Sequence, residues 1–170
     1  MAVAREEIYL GNPNLKKANT EIQFTKKQVE EWIKCKRDPI YFAKNYVKIV
    51  SLDEGLVKFK MYPFQEKLIK NFHNSRFNIC KMPRQTGKST TAVSYLLHYA
   101  VFNDSVNIGI LANKAATARE LLGRLQTAYE NLPKWMQQGI ISWNKGSLEL
   151  ENGSKILAAS TSASAVRGMS

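Results

Sequence analysis

Apolar runs alternate with amphipathic runs through the middle of this chain. Phe77–Lys81 has the apolar character of a buried strand, and a helical pattern follows at Thr90–Val101. Val106–Ala112 is a second apolar strand, and Lys114–Asn131 is again helical, with Asn113 as its cap. This alternation predicts an α/β fold with a mostly parallel sheet and flanking helices. Ligands of such sheets lie at the carboxyl ends of the strands, so the loop after the first strand is the place to look for chemistry.

The C-terminal third follows a different pattern. Three short runs predict strands, and Asn152-Gly153 between the last two is a strong hairpin signal. The predicted strands are Ile140–Trp143, Ser147–Glu151 and Lys155–Ser160. We therefore expect a C-terminal antiparallel hairpin beside the parallel strands.

The N-terminal third predicts an arm followed by two short helices. Residues 1–20 are polar and contain Gly11-Asn12-Pro13-Asn14, which is typical of a loose arm. Thr25 is placed to cap a helix at Lys26–Lys36. Asp38-Pro39 is a second helix start, leading into residues 40–46.

An acidic pair before the loop needs separate interpretation. Lys48–Leu52 and Leu56–Lys60 predict a strand pair around Asp53-Glu54-Gly55. An apolar strand ending in Asp-Glu also resembles the acidic strand of an ATPase. Gly55 completes a hairpin turn, so we interpret this stretch as a turn.

The loop after the first strand carries Gly87-Lys88-Ser89 and opens directly into the helix. A strand, a loop and a helix N-terminus together supply backbone N–H donors, a cation and a hydroxyl, which phosphate and Mg²⁺ need. In this interpretation Lys88 reaches the β- and γ-phosphates, Ser89 ligates Mg²⁺ and Gly87 allows close approach. The other loop positions assigned to nucleotide binding are Gln85, Thr86 and Thr90. The match to the phosphate-loop (Walker A) pattern is incomplete, because Met82 occupies the position of the first glycine. The alternative to a phosphate loop is a strand–turn–helix whose exposed lysine only caps the turn.

Two further positions extend this hypothesis. Arg84 lies inside the loop, where its guanidinium is placed to stabilise charge on a γ-phosphate; a solvated loop arginine is the alternative. Upstream, Gln65 has an amide of the kind that pairs with adenine, and Tyr62 offers the base a stacking face. An aromatic residue and a glutamine at a helix start also fit a core contact with a polar first turn.

The ordered segments YPFQ, MPRQTGKST, GILANKAATARELL and IISWNKGSLELENGSKILAASTSASAVRGMS carry a family resemblance. From about Asp38 to Ser170 the chain resembles the ATPase half of the large terminase of T4-like bacteriophages, a DNA-packaging motor. The resemblance implies a RecA-like (ASCE) P-loop NTPase fold and ATP with Mg²⁺ as cofactors. It divides the chain into an N-terminal basic arm and helix, 1–37, and the N-terminal part of the ATPase domain, 38–170.

The resemblance also assigns residues. It makes Gln65 the adenine contact, Arg84 and Lys88 catalytic, and Ser89 the Mg²⁺ ligand. It makes Lys114 and Arg119 candidates for coupling or for DNA contact. It also makes Arg167 a site candidate, for which an arginine in a flexible loop is the alternative.

The function that this resemblance implies belongs to a larger parent. The parent couples ATP hydrolysis to translocation of double-stranded DNA into a prohead, in the cytoplasm of an infected bacterial host. Its partners would be a portal protein and a small terminase subunit, with ring assembly on the prohead. The family's acidic catalytic strand and its nuclease domain are not found here, so we expect an N-terminal fragment that binds nucleotide weakly, turns it over negligibly and tends to aggregate.

Two alternatives stay open at this point. The first lobe of a DNA helicase shares the glutamine motif and the phosphate loop. A non-catalytic basic DNA-binding module with a vestigial loop would show DNA binding that depends on salt and not on ATP.

Composition narrows these hypotheses only partly. The formal net charge is +11, which fits a polyanionic partner, but the clustered lysines at 16–17, 26–27 and 34–37 fit solvated helix faces equally. Cys35 and Cys80 match no disulfide or metal spacing, and Cys80 is interpreted as a small core residue. The N-terminus lacks the pattern of a secretory signal and no run has transmembrane length, so we expect a protein that is neither secreted nor membrane-bound.

Overall fold

The computed structural model describes residues 7–51 and 53–161 of the 170. These residues form five α-helices and six strands. The helices are α1 (Lys26–Arg37), α2 (Pro39–Tyr46), α3 (Pro63–Asn74), α4 (Lys88–Phe102) and α5 (Ala115–Glu130). The strands are β1 (Lys48–Ser51), β2 (Gly55–Lys58), β3 (Asn107–Ala112), β4 (Ile140–Trp143), β5 (Ser147–Leu150) and β6 (Lys155–Ser160).

Side-chain caps fix the starts of α1 and α2, as predicted. Thr25 and Gln28 form a reciprocal capping box at the start of α1. The Asp38 carboxylate accepts from the backbone N–H groups of Ile40 (2.8 Å) and Tyr41 (3.1 Å), with Pro39 at the first helical position. Both caps satisfy donors that a helix N-terminus cannot pair internally.

Helix α4 supplies much of the core. Leu97, Val101 and Phe102 are buried, and the Phe102 ring contacts those of Trp32 (centroids 4.8 Å apart) and Phe42 (5.3 Å). His98 is buried on the same face, where its Nε2 bonds the Cys35 carbonyl oxygen at 2.8 Å. Burial lowers the pKa of His98 to about 4, so the ring is neutral near pH 7 and ties α4 to α1 without burying a charge.

The main sheet is mixed, with strand order β3-β6-β5-β4. β3 and β6 are parallel, whereas β6–β5 and β5–β4 are antiparallel. The predicted C-terminal hairpin is confirmed, with Asn152-Gly153 at its turn and Gly153 at φ +80°. The prediction of a mostly parallel sheet is wrong for the described residues, because β6 turns back from the hairpin and occupies one edge of β3.

The segment Phe77–Lys81 forms no strand, contrary to prediction. The Phe77 side chain is 82% exposed and that of Ile79 is 100% exposed. A strand requires a neighbour for its backbone groups, and neither sheet in residues 7–51 and 53–161 includes this segment. Cys80 is exposed as well, so its interpretation as a core residue is wrong.

The segment Glu7–Asn19 is not a loose arm. Leu15 is 1% exposed, and Lys16 is buried with its Nζ 2.8 Å from Glu151 Oε1. Backbone bonds join Ile140 N to Lys16 O and Ala18 N to Ile140 O, so the segment lies along β4. The first of the lysine clusters is therefore partly committed to an internal ion pair, whereas residues 26, 27, 34, 36 and 37 are exposed.

The acidic pair before the loop lies in a turn, as predicted. β1 and β2 pair in an antiparallel hairpin in which Ser51 is opposite Gly55, and Asp53 and Glu54 lie in the connecting turn. Both carboxylates are exposed. The hairpin packs against α5 and α2 and leaves a cavity beside α4.

Candidate nucleotide-binding site

The N-terminus of α4 has the features of an anion-binding position. Gly87 is the N-cap at φ +75°, and Gln85 two residues earlier has φ +62°. These left-handed conformations turn the loop so that the helix starts at Lys88. The first turn of α4 carries no acidic residue. The free N–H groups of such a terminus and its positive dipole end therefore meet no competing carboxylate within the helix.

The Lys88 side chain is folded into this loop. Its Nζ donates to the carbonyl oxygens of Met82 (3.0 Å) and Pro83 (2.5 Å), and the Thr86 hydroxyl also donates to Pro83 O (3.0 Å). The ammonium is thus held where the backbone curves around it. Carbonyl oxygens are weaker partners for a cation than a phosphate, so these bonds can be exchanged for an anionic ligand.

Gln65 links the start of α3 to the loop. It is 4% exposed; its Oε1 accepts from Tyr62 N (2.9 Å) and its Nε2 donates to Thr86 O (3.2 Å). A Cβ on Gly87 would lie 2.5 Å from Gln65 Nε2, closer than carbon and nitrogen approach without a bond. The positive φ at position 87 and this contact with Gln65 therefore both require glycine there.

Two aromatic rings lie next to Gln65 on the surface. Tyr62 and Phe64 are stacked with centroids 5.7 Å apart and planes 6° from parallel, and their side chains are 65% and 42% exposed. Exposed parallel rings are suited to stacking with a planar base. Tyr62 was predicted as this face. Phe64 was not, although its position two residues later, in the same short motif, was a usable signal.

The remaining loop residues differ in what holds them. Arg84 and Gln85 are exposed, and among the described residues no hydrogen bond or ion pair engages the Arg84 guanidinium. Ser89 is exposed in the first turn of α4 and, with Lys88, lines an apolar pocket of about 210 Å³ that also contains Cys80. Thr90 faces a separate cavity next to β1. The arrangement leaves Arg84 and Ser89 accessible to a ligand of the loop.

Thr91 was missed by sequence reasoning. It is fully buried, and its hydroxyl donates to Gly87 O at 2.9 Å, the same carbonyl that its N–H reaches. This bond fixes the first turn of α4 under the loop. A threonine four residues after the helix cap was the available signal.

The outlying candidates are not joined to the loop. Lys114 is the N-cap of α5, so the predicted cap at Asn113 is wrong by one residue. Lys114 and Arg119 are exposed, and in the described part of the chain no hydrogen bond or ion pair connects them to the loop. Arg167 lies outside the described residues, so its assignment stays a prediction.

The described residues contain neither a metal-binding cluster nor a membrane-spanning helix. Among residues 7–51 and 53–161, no group of three or more His, Cys, Asp or Glu side chains is arranged to hold a metal ion. No helix in this part of the chain is long and apolar enough to cross a bilayer. The assignment of Mg²⁺ to Ser89 therefore stays a prediction that rests on one hydroxyl.

A family model described as the N-terminal part of the T4-like virus type of terminase large subunit matches residues 79–170. The chain belongs to this family. The match begins at Ile79, in the segment before α4, and covers α4, α5 and the whole main sheet. Terminase large subunits are generally ATPases and act in viral DNA packaging, so family membership indicates a packaging role.

Proposed function

We propose that this chain is the ATP-binding part of a terminase large subunit whose parent couples ATP hydrolysis to translocation of double-stranded DNA into a prohead. The observation that carries the proposal is the start of α4. There an ammonium lies inside a glycine-containing loop, at a helix N-terminus without acidic residues. That donor set suits a polyphosphate, and the glycine at 87 allows the close contact with Gln65 Nε2 that a Cβ would prevent.

Each loop residue has a role in this proposal. Lys88 leaves the carbonyl groups of Met82 and Pro83 and binds the β- and γ-phosphates. Ser89 provides a hydroxyl ligand for the accompanying Mg²⁺. Backbone N–H groups around Gln85, Thr86 and Thr90 complete the contacts at the helix N-terminus.

Arg84 is the proposed charge stabiliser for hydrolysis. Bound ATP with Mg²⁺ supplies a γ-phosphate open to in-line attack by water. The exposed Arg84 guanidinium, on a loop five residues before Ser89, is free to neutralise charge that develops there. An Arg84→Ala chain should therefore bind ATP and lose turnover in the intact parent.

Gln65 and Tyr62 are proposed to recognise adenine, with Phe64 extending the stacking surface. The Gln65 amide already accepts from Tyr62 N and donates to Thr86 O. Recognition of the base therefore requires an exchange of at least one of these bonds. The same glutamine positions the loop, so its two roles must be separated experimentally.

Nucleotide binding by the purified chain tests the proposal. We expect a fluorescent ATP analogue with Mg²⁺ to bind, and Lys88→Ala to weaken binding at least a hundredfold, because a charge-assisted phosphate contact is lost. Lys81→Ala is the matched control, since Lys81 is an exposed lysine of the same segment for which no bond is described. Equal affinities for both variants would contradict the proposal.

The glutamine variants distinguish recognition from support. If Gln65 reads adenine, Gln65→Ala lowers affinity for the ATP analogue and leaves that for the GTP analogue unchanged. If it only supports the loop, both affinities fall together. Gln65→Glu retains the acceptor for Tyr62 N and loses the donor to Thr86 O, so it isolates the second bond.

The DNA, portal and small-subunit partners belong to the proposed parent. The charge of +11 supports a polyanionic partner without locating the contact face. Exposed basic residues on α1, such as Lys26 and Lys27, provide a first place for charge-reversal variants. Loss of packaged DNA in the parent, with ATP binding intact, is the expected result if this face contacts DNA.

A further inference from the structure

A cavity of about 710 Å³ lies between the β1–β2 hairpin, α4 and α5, on the side of α4 reached by Thr90. Its volume is in the range of small-molecule sites. Val47, Ile49 and Val93 give it apolar walls, and its polar lining residues, besides Ser94, are Lys48, Thr90, Glu120, Arg124 and Thr127. The Glu120 and Arg124 side chains are largely exposed and are paired with each other at 2.6 Å.

The cavity contains a buried hydroxyl without a partner. Ser94 lines it, is 1% exposed, and its Oγ makes no hydrogen bond. Helical serine and threonine hydroxyls ordinarily bond the carbonyl four residues back. Thr127, across the cavity on α5, does so to Gly123 O at 3.0 Å. An unpaired buried hydroxyl is costly, which points to a ligand group that completes it.

Space is also kept open on the opposite wall. Gly123 lies within α5, where glycine is unfavourable relative to alanine. A Cβ built there would meet nothing within 4 Å, so the position is not forced to glycine by a neighbouring atom. The missing side chain therefore leaves volume in the cavity that any larger residue would occupy.

From these observations we infer that the cavity is a binding site for a small, largely apolar molecule carrying one hydrogen-bonding group, which pairs with the Ser94 hydroxyl. Neither Lys88 nor Ser89 lines this cavity, although Thr90, which is also assigned to nucleotide binding, does. The inference does not depend on nucleotide binding. Walls that are mainly apolar, with a small number of polar groups, are typical of such sites. The ligand buries its apolar body between α4 and α5 under the hairpin.

Titration of the full 170-residue chain with 2-naphthol, followed by amide NMR shifts, tests the site. We expect saturable binding with a Kd of about 1 mM or tighter, and shifts centred on Thr90, Ser94 and Gly123. Naphthalene, which lacks the hydroxyl, should bind about fivefold more weakly. In Ser94→Ala this difference should narrow to within about twofold.

A filling variant provides the second arm. Gly123→Leu places a side chain in the cavity and should reduce 2-naphthol affinity at least tenfold, whereas Ala116→Leu adds the same side chain to an exposed position of α5 and should not change it. Circular dichroism checks that both variants fold. If Gly123→Leu does not fold, the positions of the amide shifts and the affinities of Ser94→Ala for the two aromatics still test the inference. Any of three results would overturn the inference. The first is a set of shifts centred on exposed residues such as Phe77, and the second is equal affinity of the unmodified chain for 2-naphthol and naphthalene. The third is undiminished 2-naphthol affinity in a folded Gly123→Leu chain.

Discussion

Two segments outside the α-helices and the sheets are held in different ways in this molecule. The N-terminal segment, Glu7–Asn19, is held by the buried Leu15 and by the Lys16–Glu151 ion pair. The phosphate-loop segment, Arg76–Gly87, exposes Phe77 and Ile79 and is held by side-chain bonds from Gln65, Thr86 and Lys88. The first segment is part of the core. The second is attached through polar contacts that a ligand can replace.

The difference shows how irregular backbone is ordered. Burial of an apolar side chain stabilises a segment permanently, whereas hydrogen bonds to exposed carbonyl groups contribute little net free energy and exchange readily. A loop that is proposed to rearrange around phosphate is therefore expected to rely on the second kind of contact. Substitutions in the two segments should differ accordingly in their effect on the free energy of unfolding.

The largest expected effect is that of Leu15→Ala. Leu15 is 1% exposed, so truncation removes buried surface and leaves a cavity, and the free energy of unfolding should fall by about 3 kcal/mol. Urea unfolding followed by circular dichroism measures this change. Leu10→Ala in the same segment is the control, because Leu10 is 88% exposed and should change stability by less than about 0.5 kcal/mol. Similar values for the two would mean that the segment is not anchored by Leu15.

Glu151→Gln should have the next largest effect, about 2 kcal/mol, because it leaves the buried Lys16 ammonium without its charge partner. Burial acts to raise the pKa of Glu151, but the hydrogen bond from Lys16 and those from the Gly139 and Asn19 backbone outweigh it, so the pKa is lowered from 4.5.

The lowered pKa gives this prediction a pH signature. A carboxylate with a depressed folded pKa contributes stability above its unfolded value, and that stability is lost as the pH falls through the folded value. The difference in unfolding free energy between the unmodified chain and Glu151→Gln should therefore be full at pH 7 and shrink below about pH 4.5. A difference that is constant with pH would show that the ion pair is not its source.

Gly87→Ala tests the one strongly determined position of the phosphate-loop segment. The positive φ and the contact with Gln65 should cost about 1 kcal/mol and displace the Gln65 amide. Gly123→Ala is the matched control, since a helical glycine with open space around it should gain up to about 1 kcal/mol on the same substitution. Chemical denaturation of both variants gives the sign of each change in the free energy of unfolding. A stabilising Gly87→Ala would be inconsistent with the described loop.

Ile79→Ser should have the smallest effect. Its side chain is 100% exposed, so we expect the free energy of unfolding to change by less than about 0.5 kcal/mol. The same urea experiment suffices. A loss above about 1 kcal/mol would mean that Phe77–Lys81 is packed in solution, as the original strand prediction required.

Local signals were read correctly from the sequence. Thr25, Asp38-Pro39 and Asn152-Gly153 determine caps and turns through bonds within a few residues, so their structures follow from the residues alone. The loop around Gly87 and Lys88 was located in the same way. Its contact with Gln65, 22 positions before Gly87, was not predicted, because no short-range pattern encodes which carbonyl an amide will reach.

Long-range pairing was the main source of error. The parallel pairing of β3 with β6 and the pairing of Lys16 with Glu151 join distant parts of the chain, and neither leaves a periodic signal. Phe77–Lys81 was predicted as a strand from its apolar residues, but an apolar run becomes a strand only where another strand is available to bond it. Thus composition identified the segment, and partners determined its conformation.

The two cysteines give the molecule one chemically selective handle. Cys35 is buried, and burial, followed by the nearby Glu31 and Asp38 carboxylates, raises its pKa to about 12, which leaves almost no thiolate near pH 8. Cys80 is exposed and lies in the wall of the pocket that contains Lys88 and Ser89. A maleimide dye should therefore attach at a single position in the unaltered chain, where its emission can report the arrival of a ligand at the loop.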